Sequence, residues 1–108
     1  MSKYRNIKSD RLAALFKVLG NEHRLRIYVR LTQCCPPGTK CDIEGQLAPC
    51  VSELGKDIGI VPSTLSHHIK ELRLAGLIQI ERNGQKRQCW VVPEALAELK
   101  SFFGELGI

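Results

Sequence analysis

The sequence predicts a mainly α-helical domain that carries one β-hairpin wing, and three observations predict it. Apolar residues recur at helical spacing through four successive segments before Gly76. Two β-rich segments then meet at Asn83-Gly84, and a proline-started apolar helix closes the chain. The expected order is α1-α2-α3-α4-β-β-α5. Leu12, Leu15, Phe16 and Leu19 follow the i, i+3, i+4, i+7 spacing of one helix face, and Gly20 stops the run. Asn21 is placed to cap a second helix carrying Leu25, Ile27, Tyr28 and Leu31, which the Cys34-Cys35-Pro36-Pro37-Gly38 stretch interrupts. Residues 34–49 read as a loop. A third helix spans about 51–58 with Val51, Leu54 and Ile58 inward, ended by Gly59. Pro62 suits the first turn of a fourth, whose apolar positions are Leu65, Ile69, Leu72 and, past a turn, Leu74 to Leu77. Two helices joined by a short Gly-containing turn make residues 51–75 a helix-turn-helix candidate. Residues 77–92 form the hairpin wing, with Asn83-Gly84 as the two-residue turn and Trp90 in the wing-base core. The last helix, 94–103, carries Leu96, Leu99, Phe102 and Phe103, more apolar surface than one small core needs. A dimer surface on the first and last helices accounts for the excess, so the fold is expected to be homodimeric.

At 108 residues the chain is expected to be a single domain, 1–108, able to bury a core without staples. Its 44% hydrophobic and 25% charged residues exclude disordered, fibrous and collagen-like classes. No stretch approaches the ~18 uninterrupted apolar residues of a membrane span, and the first residues lack the apolar core of a signal peptide. A cytoplasmic protein without a membrane partner is expected. The net charge of +5 is uneven: residues 1–30 carry +6 and 61–90 carry +3, while 31–60 and 91–108 each carry −2. Clustered Lys and Arg facing a polyanion gain affinity by counterion release, so the basic blocks point to nucleic acid. Five cysteines are many for this length, but their odd number and the cytosolic setting argue against a structural disulfide framework. Four of them, Cys34, Cys35, Cys41 and Cys50, concentrate thiol chemistry before the third helix. Cys89, on a strand, reads as a packed small residue.

The run Val61-Pro62-Ser63-Thr64-Leu65-Ser66-His67-His68-Ile69-Lys70-Glu71-Leu72-Arg73-Leu74-Ala75-Gly76-Leu77-Ile78 resembles the recognition helix and its exit in the ArsR/SmtB family of winged helix-turn-helix repressors. Leu19-Gly20-Asn21-Glu22-His23-Arg24-Leu25-Arg26-Ile27 is similar to the opening of that family's second helix, and Cys50-Val51-Ser52-Glu53-Leu54 to the start of its third. The resemblance runs over residues 11–103. It implies a homodimer on double-stranded operator DNA of two-fold symmetry, released when a metal, metalloid or thiol-reactive signal binds. Two departures stand out. Ser52 occupies the place where arsenic-sensing members carry a second cysteine, and the loop before the third helix is about ten residues longer than usual, bringing Cys34, Cys35 and Cys41. Residues 93–108 contain no His, so the family's zinc site on the last helix is not expected.

On a wheel centred on buried Leu65, Ile69 and Leu72 lie close to the centre, while Ser63, Ser66, His67 and Lys70 fall on the far side. With Thr64 in the first turn, these are the candidate DNA-facing residues: short hydroxyls admit the helix, Lys70 meets phosphate or guanine, and His67 bonds a base edge. The bland alternative is a solvated helix face. His68, at the boundary, is expected to pack against the third helix. Arg82, Lys86 and Arg87 at the wing tip are candidates for phosphate or minor-groove contact, or else charges that keep edge strands from pairing.

The spacing of Cys34, Cys35, Cys41 and Cys50 does not match the Cys-x-x-Cys knuckles of structural zinc. A soft trivalent ion such as arsenite needs three thiolates on one side, so Cys50 with two of the loop cysteines is the expected inducer site, for trivalent arsenic or another thiophilic metal ion. Cys50 at a helix N-terminus is expected to have a lowered thiol pKa. A redox or persulfide switch on the same thiols, and an inert structural role, remain alternatives. No organic cofactor and no enzymatic activity are expected. A thiol oxidoreductase would need an activated cysteine with a base and a substrate pocket, yet no Cys-x-x-Cys or Gly-rich phosphate loop appears. A winged helix serving only protein interaction would not need the basic wing.

Overall fold

The computed structural model describes residues 9–43 and 47–107. The basic segment 1–8, residues 44–46 of the cysteine loop and residue 108 lie outside the described residues. The elements are α1 (Ser9–Leu19), α2 (Glu22–Cys34), β1 (Cys41–Ile43), α3 (Pro49–Ile58), α4 (Pro62–Leu74), β2 (Ile78–Asn83), β3 (Lys86–Val91) and α5 (Pro93–Glu105). This is a winged helix-turn-helix, mainly helical, with a small antiparallel sheet in the order β1-β3-β2.

Each helix begins where the sequence supplies a start. The Asn21 side chain accepts a hydrogen bond from the Arg24 backbone N–H at 3.0 Å, satisfying one of the amides that helix geometry leaves open. Pro49, Pro62 and Pro93 open α3, α4 and α5, where the missing N–H costs nothing. The core joins Leu15, Ile27, Leu31, Val51, Leu65 and Leu72 of the helices to Leu77, Ile78, Val91 and Ile43. Cys89 packs into the same cluster as a small residue, as expected from its place on a strand.

Gly55 sets the spacing of α3 and α4. A Cβ there would overlap Leu65 Cδ1 and stand 3.2 Å from Leu65 Cγ and 3.3 Å from the Ile60 carbonyl oxygen. Leu65 therefore reaches the core only because Gly55 has no side chain.

Four expectations are corrected. The stretch 34–49 is not all loop: β1 pairs antiparallel with β3, with Cys41 opposite Cys89 and Ile43 opposite Arg87. A three-residue strand has no periodicity of its own, and its partner lies more than forty residues away in the chain. The hairpin turns one residue later than read, at Gly84-Gln85, since Asn83 pairs with Lys86. Gly84 has φ +66 at the first turn position, where a type II′ hairpin calls for glycine. Leu74 is 67% exposed rather than inward, whereas Leu77 is buried. Trp90 is half-buried on the outer sheet face, not in the core, with Lys40 Nζ 4.9 Å from its ring centroid.

Helices α1 and α5 meet through Phe16, Phe102 and Phe103, whose centroids lie 5.3–5.8 Å apart in edge-to-face arrangement. Phe16, Phe103 and Leu106 remain exposed. Arg11 of α1 ties the base together: its Nη1 donates to the Ala75 carbonyl at 2.6 Å, and its Nε to Glu98 of α5 at 3.3 Å.

Gly55→Ala is expected to destabilise the chain by about 1–3 kcal/mol, the usual effect of overpacking. Chemical denaturation checks this, and an unchanged midpoint would refute the close approach.

Candidate DNA interface and thiol junction

One face of α4 is committed to the core through Leu65, Ile69 and Leu72. The opposite face and the wing together wall a cleft of about 300 Å³, lined by Ser63, Ser66, His67, Lys70 and Arg73 of α4 with Ile80 and Arg87 of the wing. All four helix positions predicted from the wheel thus stand in one cleft. Thr64 is exposed but does not line it. At ~100° per residue Thr64 lies on the flank of α4 away from the wing, while Arg73 falls on the wing side about 80° from Leu65. Arg73 was missed by centring attention on the pole of the exposed face; the same wheel contains it.

Cross-strand partners share a sheet face. Ile80 pairs with Cys89 and Arg82 with Arg87, so the two arginines stand on the inner face that meets the cleft. Lys86, opposite Asn83, belongs to the alternate face at the wing tip. The outer face is internally matched: Lys40 Nζ stands 3.8 Å from the Glu81 carboxylate, and Gln88 Nε2 donates to Asp42 at 3.1 Å.

His68 is buried, as expected, and its imidazole is held from α2: Arg24 Nε–H donates to His68 Nδ1 at 3.4 Å. Burial holds its imidazole below the ordinary value, assisted by Arg24, His67 and His23 and opposed by Glu71. The fold therefore favours neutral His68. Its contribution is complete above the unfolded pKa of about 6.5 and is lost progressively as pH falls from there through the folded pKa. Stability should drop between pH 7 and 5, and His68→Gln, which can still accept from Arg24, should flatten that drop. Equal pH slopes for the two proteins in denaturant titrations would overturn this.

Cys34, Cys35, Cys41 and Cys50 are joined in two pairs at the end of α2. Cys35, at the C-cap of α2, is disulfide-bonded to Cys41 of β1, with Cα atoms 6.3 Å apart. This corrects the expectation that no disulfide would form. The pairing depends on β1, which brings Cys41 back to α2 and cannot be read from spacing. Cys34 is exposed, and the half-buried Cys50 thiol is hydrogen-bonded to it. The expected lowering of the Cys50 pKa is also corrected: burial and the Cys34 sulfur push it up to about 12, although the Arg30 guanidinium pulls the other way. Desolvation outweighs the helix dipole there. No group of three or more His, Cys, Asp or Glu poised to hold a metal ion occurs among the described residues. With Cys35 and Cys41 bonded, the junction offers two thiols, one fewer than a trivalent soft ion takes.

Residues 46–79 match the family described as "Bacterial regulatory protein, arsR family". Among curated proteins no relative matches the chain. Among solved structures, an ArsR-like transcriptional regulator from Rhodococcus superposes with a TM-score of 0.65 at 18% identity, covering 92% of this chain and 81% of that one. Reduced HlyU from Vibrio cholerae gives 0.55 at 25% identity, covering 85% and 84%. The transcriptional repressor BigR from Xylella fastidiosa gives 0.56 at 22%, covering 90% and 87%.

Proposed function

We propose that this chain, an ArsR-family transcriptional regulator with that family's winged helix-turn-helix, is a repressor of double-stranded operator DNA controlled by thiol chemistry at the end of α2. Regulators of this family act by binding DNA rather than by turnover. The observation that carries the reading is the cleft joining the polar face of α4 to the inner face of the wing. Ser63, Ser66 and His67 serve close approach and base contact, with Thr64 on the neighbouring flank. Lys70, Arg73, Arg82, Lys86 and Arg87 serve phosphate. The exposed aromatic face of α1 and α5 supports pairing with a second copy, whose symmetry a two-fold operator would mirror. No helix among the described residues is long and apolar enough to cross a membrane, which accords with a cytoplasmic regulator.

Lys70→Ala and Arg87→Ala should each lessen the slope of log affinity against log salt by about one, whereas His67→Ala should change base preference. Duplexes from the DNA upstream of the chain's own coding sequence, read by fluorescence anisotropy, provide the measurement. Unchanged slopes and preference in all three variants would remove the DNA assignment.

For the signal, the Cys35–Cys41 bond favours a redox or reactive-sulfur switch. The bond joins α2 to β1, β1 pairs with β3, and Ile43 stands opposite Arg87 of the cleft. Changing it alters how the wing is held against the helices. A soft trivalent ion such as arsenite is the second reading, favoured by the gathering of all four predicted cysteines at one junction. Once Cys35–Cys41 is reduced, Cys50 with two of Cys34, Cys35 and Cys41 would supply three thiolates. Operator affinity should differ between reduced and oxidised protein by about 5–150-fold, the range of ordinary coupling free energies, and Cys41→Ser should abolish the difference. A response to arsenite alone, lost in Cys50→Ser, would replace the redox reading with the ion.

A further inference from the structure

We propose that the groove between α2 and α3 is a docking site for a carboxylate-bearing low-molecular-weight disulfide of the peptide-thiol class, which reacts at Cys34. The inference rests on the reading of the α2 end as a redox-controlled junction and adds a reactant for its second thiol pair, Cys34 and Cys50, beside the Cys35–Cys41 bond.

The groove has a volume of about 460 Å³, within the range of small-molecule sites. Leu25 and Val29 give it an apolar wall that is open to solvent, 44% and 45% exposed. One helical turn apart on the same helix, Arg26 and Arg30 supply two guanidiniums, and Asp57 of α3 supplies a single carboxylate. Two cations facing one anion suit a ligand with more carboxylates than ammonium groups, and the guanidinium fork binds carboxylate in two-point fashion. Gln33 ends the α2 side of the groove and is followed directly by Cys34. Arg30 belongs to both features: it lines the groove and acts electrostatically on Cys50, the hydrogen-bonded partner of Cys34. Neither Cys34 nor Cys50 lines the groove itself; Cys34 follows Gln33 at its end, and Cys50 lies one helical turn before Leu54 of its α3 wall.

Exposure orders the chemistry. Cys34 is open to solvent and Cys50 is half-buried behind it. The Cys34 thiolate attacks one sulfur of the docked disulfide, whose S–S bond breaks. One half leaves as a thiolate and takes up the proton that Cys34 gave up, while the other half stays on Cys34 as a mixed disulfide. Cys50, losing its proton, attacks the Cys34 sulfur and releases the second half as a thiol. Two cysteine thiols are oxidised to a Cys34–Cys50 disulfide, and the ligand disulfide is reduced to two thiols. The product ties the end of α2 to the first turn of α3, the helix on which α4 is packed through Gly55.

The test uses the full chain with Cys50→Ser, which traps the mixed disulfide on Cys34 for detection by mass spectrometry. Glutathione disulfide, neutral hydroxyethyl disulfide and cationic cystamine are compared as probes. Glutathione disulfide is expected to react about tenfold faster than cystamine, the lower end of electrostatic rate enhancement. Adding Arg26→Gln and Arg30→Gln should abolish that preference, read as the ratio of each charged probe's rate to that of hydroxyethyl disulfide in the same variant, and circular dichroism checks that the fold is retained. Equal rates for the three probes, or a glutathione disulfide rate untouched by the arginine changes, would overturn the docking site. These rates are measured without DNA. A charge preference with unaltered operator affinity would therefore leave the docking site standing and sink the repressor switch, and redox-dependent DNA release without charge preference would do the reverse.

Discussion

The contact of Leu65 with the bare backbone of Gly55 is the constraint from which the cleft between α4 and the wing follows. Without a side chain on Gly55, α3 and α4 approach closely enough for Leu65 to join Val51, Ile27 and Leu31 in the core. That commits one face of α4 inward and leaves Ser63, His67 and Lys70 outward on a helix that cannot roll without opening a cavity. The wing inherits its position from the same packing, because Leu77 and Ile78 at its root are buried in that cluster.

Much of this was legible in the chain. Helical periodicity, the Asn21 cap, Pro62 and Pro93 located the helices, since each rests on interactions within a few residues; Pro49, read as the end of a loop, starts α3. The hairpin was legible for the same reason, to within one residue at its turn. What escaped was non-local. β1 exists because β3 offers it an edge, and the pairing of Cys35 with Cys41 follows from β1. The partner of His68 and the raised Cys50 thiol both depend on burial contributed by other helices. That Ser63, Ser66, His67 and Lys70 line one cleft was legible because the wheel alone decides which side chains leave the core. That Arg73 lines the cleft and Thr64 does not was not legible, because the wheel has no knowledge of the side on which the wing stands.

The electrostatics of the wing divide along the sheet. On its outer face Lys40 meets Glu81 and Trp90, and Gln88 meets Asp42, so charge is matched locally. Arginine is concentrated on the inner face, where Arg82 opposes Arg87 in register. An uneven chain charge is thereby turned into a one-sided field at the cleft. The groove between α2 and α3, by contrast, carries charges of both signs, with Asp57 across from Arg26 and Arg30, and so has the mixed character of a small-molecule site rather than of a polyanion track.

β1 also determines which strand edges the molecule shows. β3 holds the most apolar stretch of the sheet, Cys89-Trp90-Val91, and lies in the centre, with β2 on one side and β1 on the other. The outer edges belong to a three-residue strand and to β2, whose exposed residues include Glu81, Arg82 and Asn83. Short and charged edges resist the addition of foreign strands. Any state in which β1 lets go would uncover the backbone of Gln88 and Cys89 as an unpaired template. The bond that anchors Cys41 to α2 therefore also protects the chain from self-association through its own sheet.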